Sequence, residues 1–263
     1  MKKMQVDIGD AQLAVEIEGH GPPLLLIAGL GGRLAFWRQQ RAALAEEFQL
    51  VLHDHRGTGN SSRDEISYSV AQMSQDVLRL LDALDIDKAH LLGHSTGGAI
   101  VQHIALHHEH RAERIVLSSS WAEQDPFFRQ LFDLRRDILA RCGARAYLLD
   151  GLLRALPAAW LQQRGDQLGQ MLDDRLADFP GEVIEQARIQ AVCDFNDGIH
   201  AERIAKPTLV ICAEDDQITP VNFSRTLAAR IPGAELQLLP SGGHFCPQIH
   251  ADRYNALVLD FLC

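Results

Sequence analysis

Three residue types widely separated in this chain could together cleave an acyl bond: a serine, a histidine and a carboxylate. Ser95 lies in Gly93-His94-Ser95-Thr96-Gly97, between an apolar segment at 88–92 that predicts a buried strand and an apolar-periodic one at 98–107 that predicts a helix. A Gly-x-Ser-x-Gly run at such a junction predicts a nucleophile elbow, a turn so tight that side chains at 93 or 97 would strike backbone. The serine is then held in a strained conformation with its hydroxyl raised above the sheet, and the Thr96 N–H points from the positive helix end toward any oxygen attacked there. A serine hydroxyl is a poor nucleophile at neutral pH and needs a base. His244, in the flexible run Pro240-Ser241-Gly242-Gly243-His244, follows a predicted strand and is the candidate.

The imidazole in turn needs a carboxylate to fix its tautomer and stabilise its cation. Asp215 and Asp216 both follow the predicted strand 208–213, and Asp125 follows the preceding one, so three carboxylates compete. Gly29-Leu30-Gly31-Gly32 ends the buried strand 24–28. In an enzyme with such an elbow, the Leu30 N–H there is the expected second donor to an oxyanion. Cys246 lies near His244, but a serine already occupies the elbow.

Positioning these groups requires strands that end on one edge of a sheet. The chain reads as an edge hairpin at 4–18, then the strand 24–28, a helix begun by Phe36-Trp37 and running past Leu44, and the strand 50–53. After these come a helix from Val70 through Leu84, the elbow strand and helix, and a strand at 115–120. From Trp121 to about Ala205 the rhythm stops. An amphipathic helix spans 127–139, and weaker helical patterns follow at 146–155, 158–176 and 181–192. Strands resume at 208–213 and 234–239, with helices at 223–230 and near the end. The expected organisation is an α/β core of residues 1–120 and 206–263, with residues 121–205 as an inserted helical cap. Trp37, Trp121, Phe128 and Arg135 are the candidate substrate-binding residues, Arg135 as a guanidinium able to hold a substrate carboxylate.

Bulk properties narrow the class. The chain has 263 residues, 46% hydrophobic and 23% charged, which suits an ordinary globular α/β protein. A formal net charge of −10 argues against nucleic acid or an anionic membrane as a partner. Five cysteines without CxxC or metal-type spacing read as reduced thiols, and neither a signal peptide nor a membrane-spanning apolar run is apparent, so the expectation is a cytoplasmic protein, a monomer or homodimer. Two histidine groups invite a metal reading. His53-Asp54-His55 fits no helical zinc spacing, and His103 and His107, four apart on one helix, lack an acidic partner in sequence. The expectation is therefore no metal and no cofactor.

The order of these motifs resembles the α/β-hydrolase fold family over nearly the whole chain. Gly29-Leu30-Gly31-Gly32, Asp54-x-Arg56-Gly57-x-Gly59, Gly93-x-Ser95-x-Gly97, Asp216-x-x-x-Pro220 and Gly243-His244 fall in family order. That resemblance implies a mostly parallel central sheet flanked by helices, a Ser95–Asp216–His244 triad, with Asp216 preferred over Asp215 and Asp125, and an oxyanion hole from Leu30 and Thr96. Arg56-Gly57-Thr58-Gly59-Asn60, Ile211-Cys212-Ala213-x-Asp215-Asp216 and Pro240-x-Gly242-Gly243-His244-x-Cys246 resemble aminoacrylate (carbamate) hydrolases of uracil catabolism, and similar stretches occur in 3-oxoadipate enol-lactonases and small-molecule esterases. Ala28 departs from the family pattern, where many members carry histidine. The implied function is cofactor-free hydrolysis, by water, of a small ester, lactone, amide or carbamate. A non-catalytic ligand-binding protein, or a cofactor-free perhydrolase or oxygenase on the same scaffold, is the rival.

Overall fold

A computed structural model describes all 263 residues. Eight strands form one sheet: β1 (Lys2–Asp7), β2 (Gln12–Glu18), β3 (Pro23–Ile27), β4 (Gln49–His53), β5 (Ala89–His94), β6 (Ala112–Ser118), β7 (Thr208–Ala213) and β8 (Glu235–Leu239). Their order is β1-β2-β4-β3-β5-β6-β7-β8. β2 runs antiparallel to both neighbours, and every pairing from β4 to β8 is parallel. The apolar runs are continuous because both faces are covered. Along β3, Leu24 and Leu26 join one core layer, with Trp37, Tyr254 and Val258. Leu25 and Ile27 join the opposite layer, with Val77, Ile100 and Leu117.

The helices are α1 (Arg41–Leu44), α2 (Val70–Ala83), α3 (Thr96–His107), α4 (Pro126–Ala155), α5 (Ala158–Gln163), α6 (Gly165–Ala177), α7 (Glu182–Asp194), α8 (Val221–Arg230), α9 (Cys246–Ile249) and α10 (Ala251–Leu262). Ser69 caps α2 by accepting from the Gln72 N–H, where the sequence predicts the helix start. The single helix expected from Phe36 past Leu44 is instead a 3-10 turn, Leu34–Trp37, followed by the one turn of α1. The two helices expected at 127–139 and 146–155 form one long element broken at Gly143, whose φ of 78° interrupts the helical path. The pattern at 158–176 divides into α5 and α6. Helices α4 to α7 all lie between β6 and β7, and the 3-10 segment Asp197–Arg203 leads back to the sheet.

Candidate active site

The elbow is built as tightly as its glycines require. A Cβ on Gly93 would stand 2.2 Å from the Gly97 carbonyl oxygen, and one on Gly97 would stand 2.2 Å from the Ile27 carbonyl oxygen. Between them Ser95 adopts φ 55° and ψ −117°, outside the regions a side chain favours, so its placement depends on surrounding bonds. Its N–H donates to the Ser118 carbonyl at 2.8 Å, and its own carbonyl accepts from the Ser120 hydroxyl at 3.0 Å. Gln102 donates to the Gly98 and Trp121 carbonyls and so ties the first turn of α3 to the exit of β6. This support from Ser118, Ser120 and Gln102 is absent from the sequence reading, because a serine run at a strand end carries no periodic signal.

At the next strand ends toward the edge, the three-way competition for the histidine resolves geometrically. An Asp216 carboxylate oxygen lies 2.8 Å from His244 Nδ1. The other accepts the N–H groups of Ile218 and Thr219 at 2.8 and 2.9 Å, which fixes the carboxylate's orientation. Asp215 accepts instead from the Gly242 and Gly243 N–H groups, shaping the loop that carries His244. Asp125 caps α4 through the Phe128 N–H at 2.7 Å. Thr219, unmarked by the sequence analysis, places its hydroxyl 2.9 Å from the Ser119 carbonyl and 3.0 Å from Asp216.

Ser95 is 7% exposed, Asp216 and His244 4% each. The His244 ring lies 4.8 Å from that of His94, which immediately precedes Ser95. The imidazole therefore stands at the elbow with Nδ1 held by Asp216, and the Ser95 hydroxyl and His244 Nε2 are both free of hydrogen bonds. Burial pushes the His94 pKa well below its ordinary value, with the adjacent His244 adding to the effect. A neutral His94, its Nδ1 beside the Ser118 hydroxyl at 3.1 Å, thus puts no competing charge next to the base.

Facing the elbow, a Cβ on Gly29 would lie 3.1 Å from the Ser95 Cβ, so the Gly29–Leu30 backbone passes directly against the serine. The N–H groups of Leu30 and Thr96 have no acceptor among the backbone hydrogen bonds of loops, turns and caps. The arrangement can therefore polarise a carbonyl and offer it a hydroxyl with a base behind it. Arg188 on α7, wholly buried, donates to the Leu30 carbonyl at 2.8 Å and the Arg56 carbonyl at 2.9 Å. This clamp on the Leu30 loop comes from a segment 158 residues away, and sequence periodicity did not single it out.

The aromatic residues expected to meet substrate are packed in the core layers. Trp37, Trp121 and Phe128 are 0–1% exposed. Trp37 belongs to the core layer under β3, and Trp121 packs on Phe128 at 4.8 Å in the opposite layer, so none offers surface to a ligand. Phe36 instead stacks on His94 at 4.6 Å and meets Phe245 at 5.6 Å. Arg135 is buried between the rings of Phe132 and Tyr147, and its Nε has no hydrogen-bond partner. Arg175 lies 5.2 Å over Phe245, the residue after His244. Burial, followed by the like charges of Arg135 and Arg33, lowers the Arg175 pKa, which marks these guanidiniums as neighbours. Neither Arg135 nor Arg175 forms an ion pair with a carboxylate. His53 and His55 are buried, and their rings stack at 5.1 Å.

Comparison with known proteins places this geometry. A profile of the alpha/beta hydrolase fold matches residues 22–247. The chain is 37% identical over 252 residues to a protein of Caulobacter sp. (strain K31) whose assigned name is carbamate hydrolase RutD, covering 93% of this chain and 94% of the relative. A relative of the same name from Azorhizobium caulinodans is 36% identical, with 96% of each chain covered. Among solved structures, the enol-lactonase from Burkholderia xenovorans LB400 superposes with a TM-score of 0.90 at 28% identity, covering 98% of this chain and 99% of that one. A hydrolase from Pseudomonas aeruginosa PA01 gives the same score at 31% identity, covering 99% and 98%.

Proposed function

This chain belongs to the α/β-hydrolase fold family, and from that premise we propose that it is a serine hydrolase of small anionic acyl compounds, with carbamates as the first class to test. Ser95 is the nucleophile in this reading. His244 Nε2 takes the hydroxyl proton as Ser95 Oγ bonds to the carbonyl carbon, while Asp216 holds Nδ1 and stabilises the imidazolium. The Thr96 and Leu30 N–H groups receive the oxyanion, each such donor contributing on the order of 3 kcal/mol. The leaving group departs with the proton from His244. Water, deprotonated by the same ring, then cleaves the acyl-enzyme and restores the serine.

The observation that carries the reaction class is the Asp216–His244 pair standing at a strained serine elbow. The likeness to proteins named as carbamate hydrolases favours the carbamate class. The likeness to an enol-lactonase favours a lactone as the second reading. The anionic character rests on Arg135 and Arg175, two guanidiniums without a carboxylate partner, one of them beside the residue that follows His244. A buried cation without a counter-ion is costly, and a substrate carboxylate supplies the missing charge.

A panel of small carbamates, lactones and esters, each with and without a carboxylate, tests this. Turnover concentrates on the carboxylate-bearing members, and Arg135→Met raises their KM by roughly tenfold while sparing the neutral ones. Equal losses on charged and neutral substrates would contradict the anionic assignment.

A further inference from the structure

Outside the active site, the fold completes a cluster that the sequence leaves incomplete. His103 and His107 lie one helical turn apart on α3, so their rings share a face, with centroids 4.4 Å apart. The expected absence of an acidic partner is corrected by Asp197, which opens the 3-10 segment Asp197–Arg203. One Asp197 carboxylate oxygen lies 2.5 Å from His103 Nδ1 and 3.2 Å from His107 Nε2.

We propose that His103, His107 and Asp197 form a binding site for a divalent transition-metal ion of the zinc class. The three donor atoms lie within 4.8 Å of one another. Metal–nitrogen and metal–oxygen bonds of about 2.0–2.1 Å require neighbouring donors about 3.3 Å apart in a tetrahedron, a spacing these side chains reach with small rotations. Two imidazoles and a carboxylate are a borderline donor set that suits Zn²⁺, Ni²⁺, Cu²⁺ or Co²⁺ and disfavours Mg²⁺ or Ca²⁺. One carboxylate oxygen faces two ring nitrogens, and a metal ion binds all three donors by displacing the protons those rings would otherwise donate to it.

The donors are also held in place. A Cβ on Gly198 would stand 2.1 Å from the Ala122 carbonyl oxygen, so the backbone beside Asp197 is pressed onto the exit of β6. Side-chain exposures of 15%, 47% and 27% for His103, His107 and Asp197 leave an entry path and room for a water as fourth ligand. His103 is eight residues past Ser95, about 12 Å along the helix at 1.5 Å per residue, so the ion takes no part in bond cleavage. It would instead cross-link the helix that begins at the elbow to the segment returning to β7.

The test uses the full chain, stripped with chelator and titrated with ZnCl₂ by calorimetry, then with CoCl₂ by visible absorption. One saturable site per chain is expected, with a tetrahedral Co²⁺ spectrum and a Zn²⁺-dependent rise in melting temperature. His107→Ala and Asp197→Asn, at partly exposed positions that tolerate change, each weaken binding at least tenfold and abolish the melting shift. His110→Ala, an exposed histidine outside the cluster, leaves both unchanged. Absence of saturable binding, or binding that survives both cluster substitutions, would overturn the site.

Discussion

Arg188 shows how a single side chain can govern chemistry it does not touch. Its guanidinium sits where burial and the absence of an ion-pairing carboxylate make a charge expensive, yet it satisfies the Leu30 and Arg56 carbonyls. Burial lowers its pKa, with the nearby Glu185 opposing. Its role is one of position: it fixes the Leu30 carbonyl, next to the N–H that the proposed mechanism assigns to the oxyanion. Arg188→Met is expected to lower kcat by roughly tenfold to a hundredfold with KM little changed, because the loop loses its aim and not its substrate contacts. Steady-state kinetics on a carboxylate-bearing ester separates the two constants. A rise in KM at constant kcat would place Arg188 in substrate binding instead. Neither Arg188 nor Asp197 could be singled out from sequence, since each acts through a partner more than ninety residues away. Ser95 and His244 were legible because the motif around each is local.

At the level of elements, the strands and their ends were readable and the helices only partly so. Short apolar runs such as Leu24-Leu25-Leu26-Ile27, bounded by Gly and Pro, read as doubly buried strands, and the structure pairs and buries them so. Directions of side chains in short turns were not readable. Trp37 and Phe36 are neighbours in a 3-10 turn, so one enters the core and the other turns to His94, and no periodicity distinguishes them. The inward face of α4 was only partly readable for a related reason. An amphipathic stripe shows that Phe128 and Arg135 face inward, but not whether inward means a packed layer or a ligand. In the structure Phe128 is wholly packed, and Arg135 is buried with its Nε lacking a hydrogen-bond partner, the feature on which the proposed anionic substrate rests. Asp216 was chosen over its neighbour by resemblance. The structure gives the physical reason, because Asp215 is occupied with the Gly242 and Gly243 amides.

For the molecule as a whole, buried histidines link stability to pH. Burial brings the His53 pKa down to about 4, and holds those of His55 and His94 well below their ordinary value. In the unfolded chain each titrates near 6.5, so between about pH 6.5 and 4 the unfolded state binds protons that the folded state refuses. Stability from these groups is therefore complete above about pH 6.5 and falls on acidification, by up to about 1.4 kcal/mol per pH unit for each histidine. The formal charge of −10 would act in the opposite direction, since mild acid relieves self-repulsion. Urea unfolding at stepped pH thus reads a sign: a falling midpoint below pH 6.5 supports the histidine account, and a rising one contradicts it.

Whether Ser95 is a nucleophile is decided most directly by intact-mass spectrometry of the full chain after exposure to an aryl fluorophosphonate. The predicted result is a single covalent adduct, mapped to the peptide containing Ser95, with none on Ser95→Ala and all turnover lost in that variant. An unmodified protein, or an adduct and activity that persist in Ser95→Ala, would contradict it.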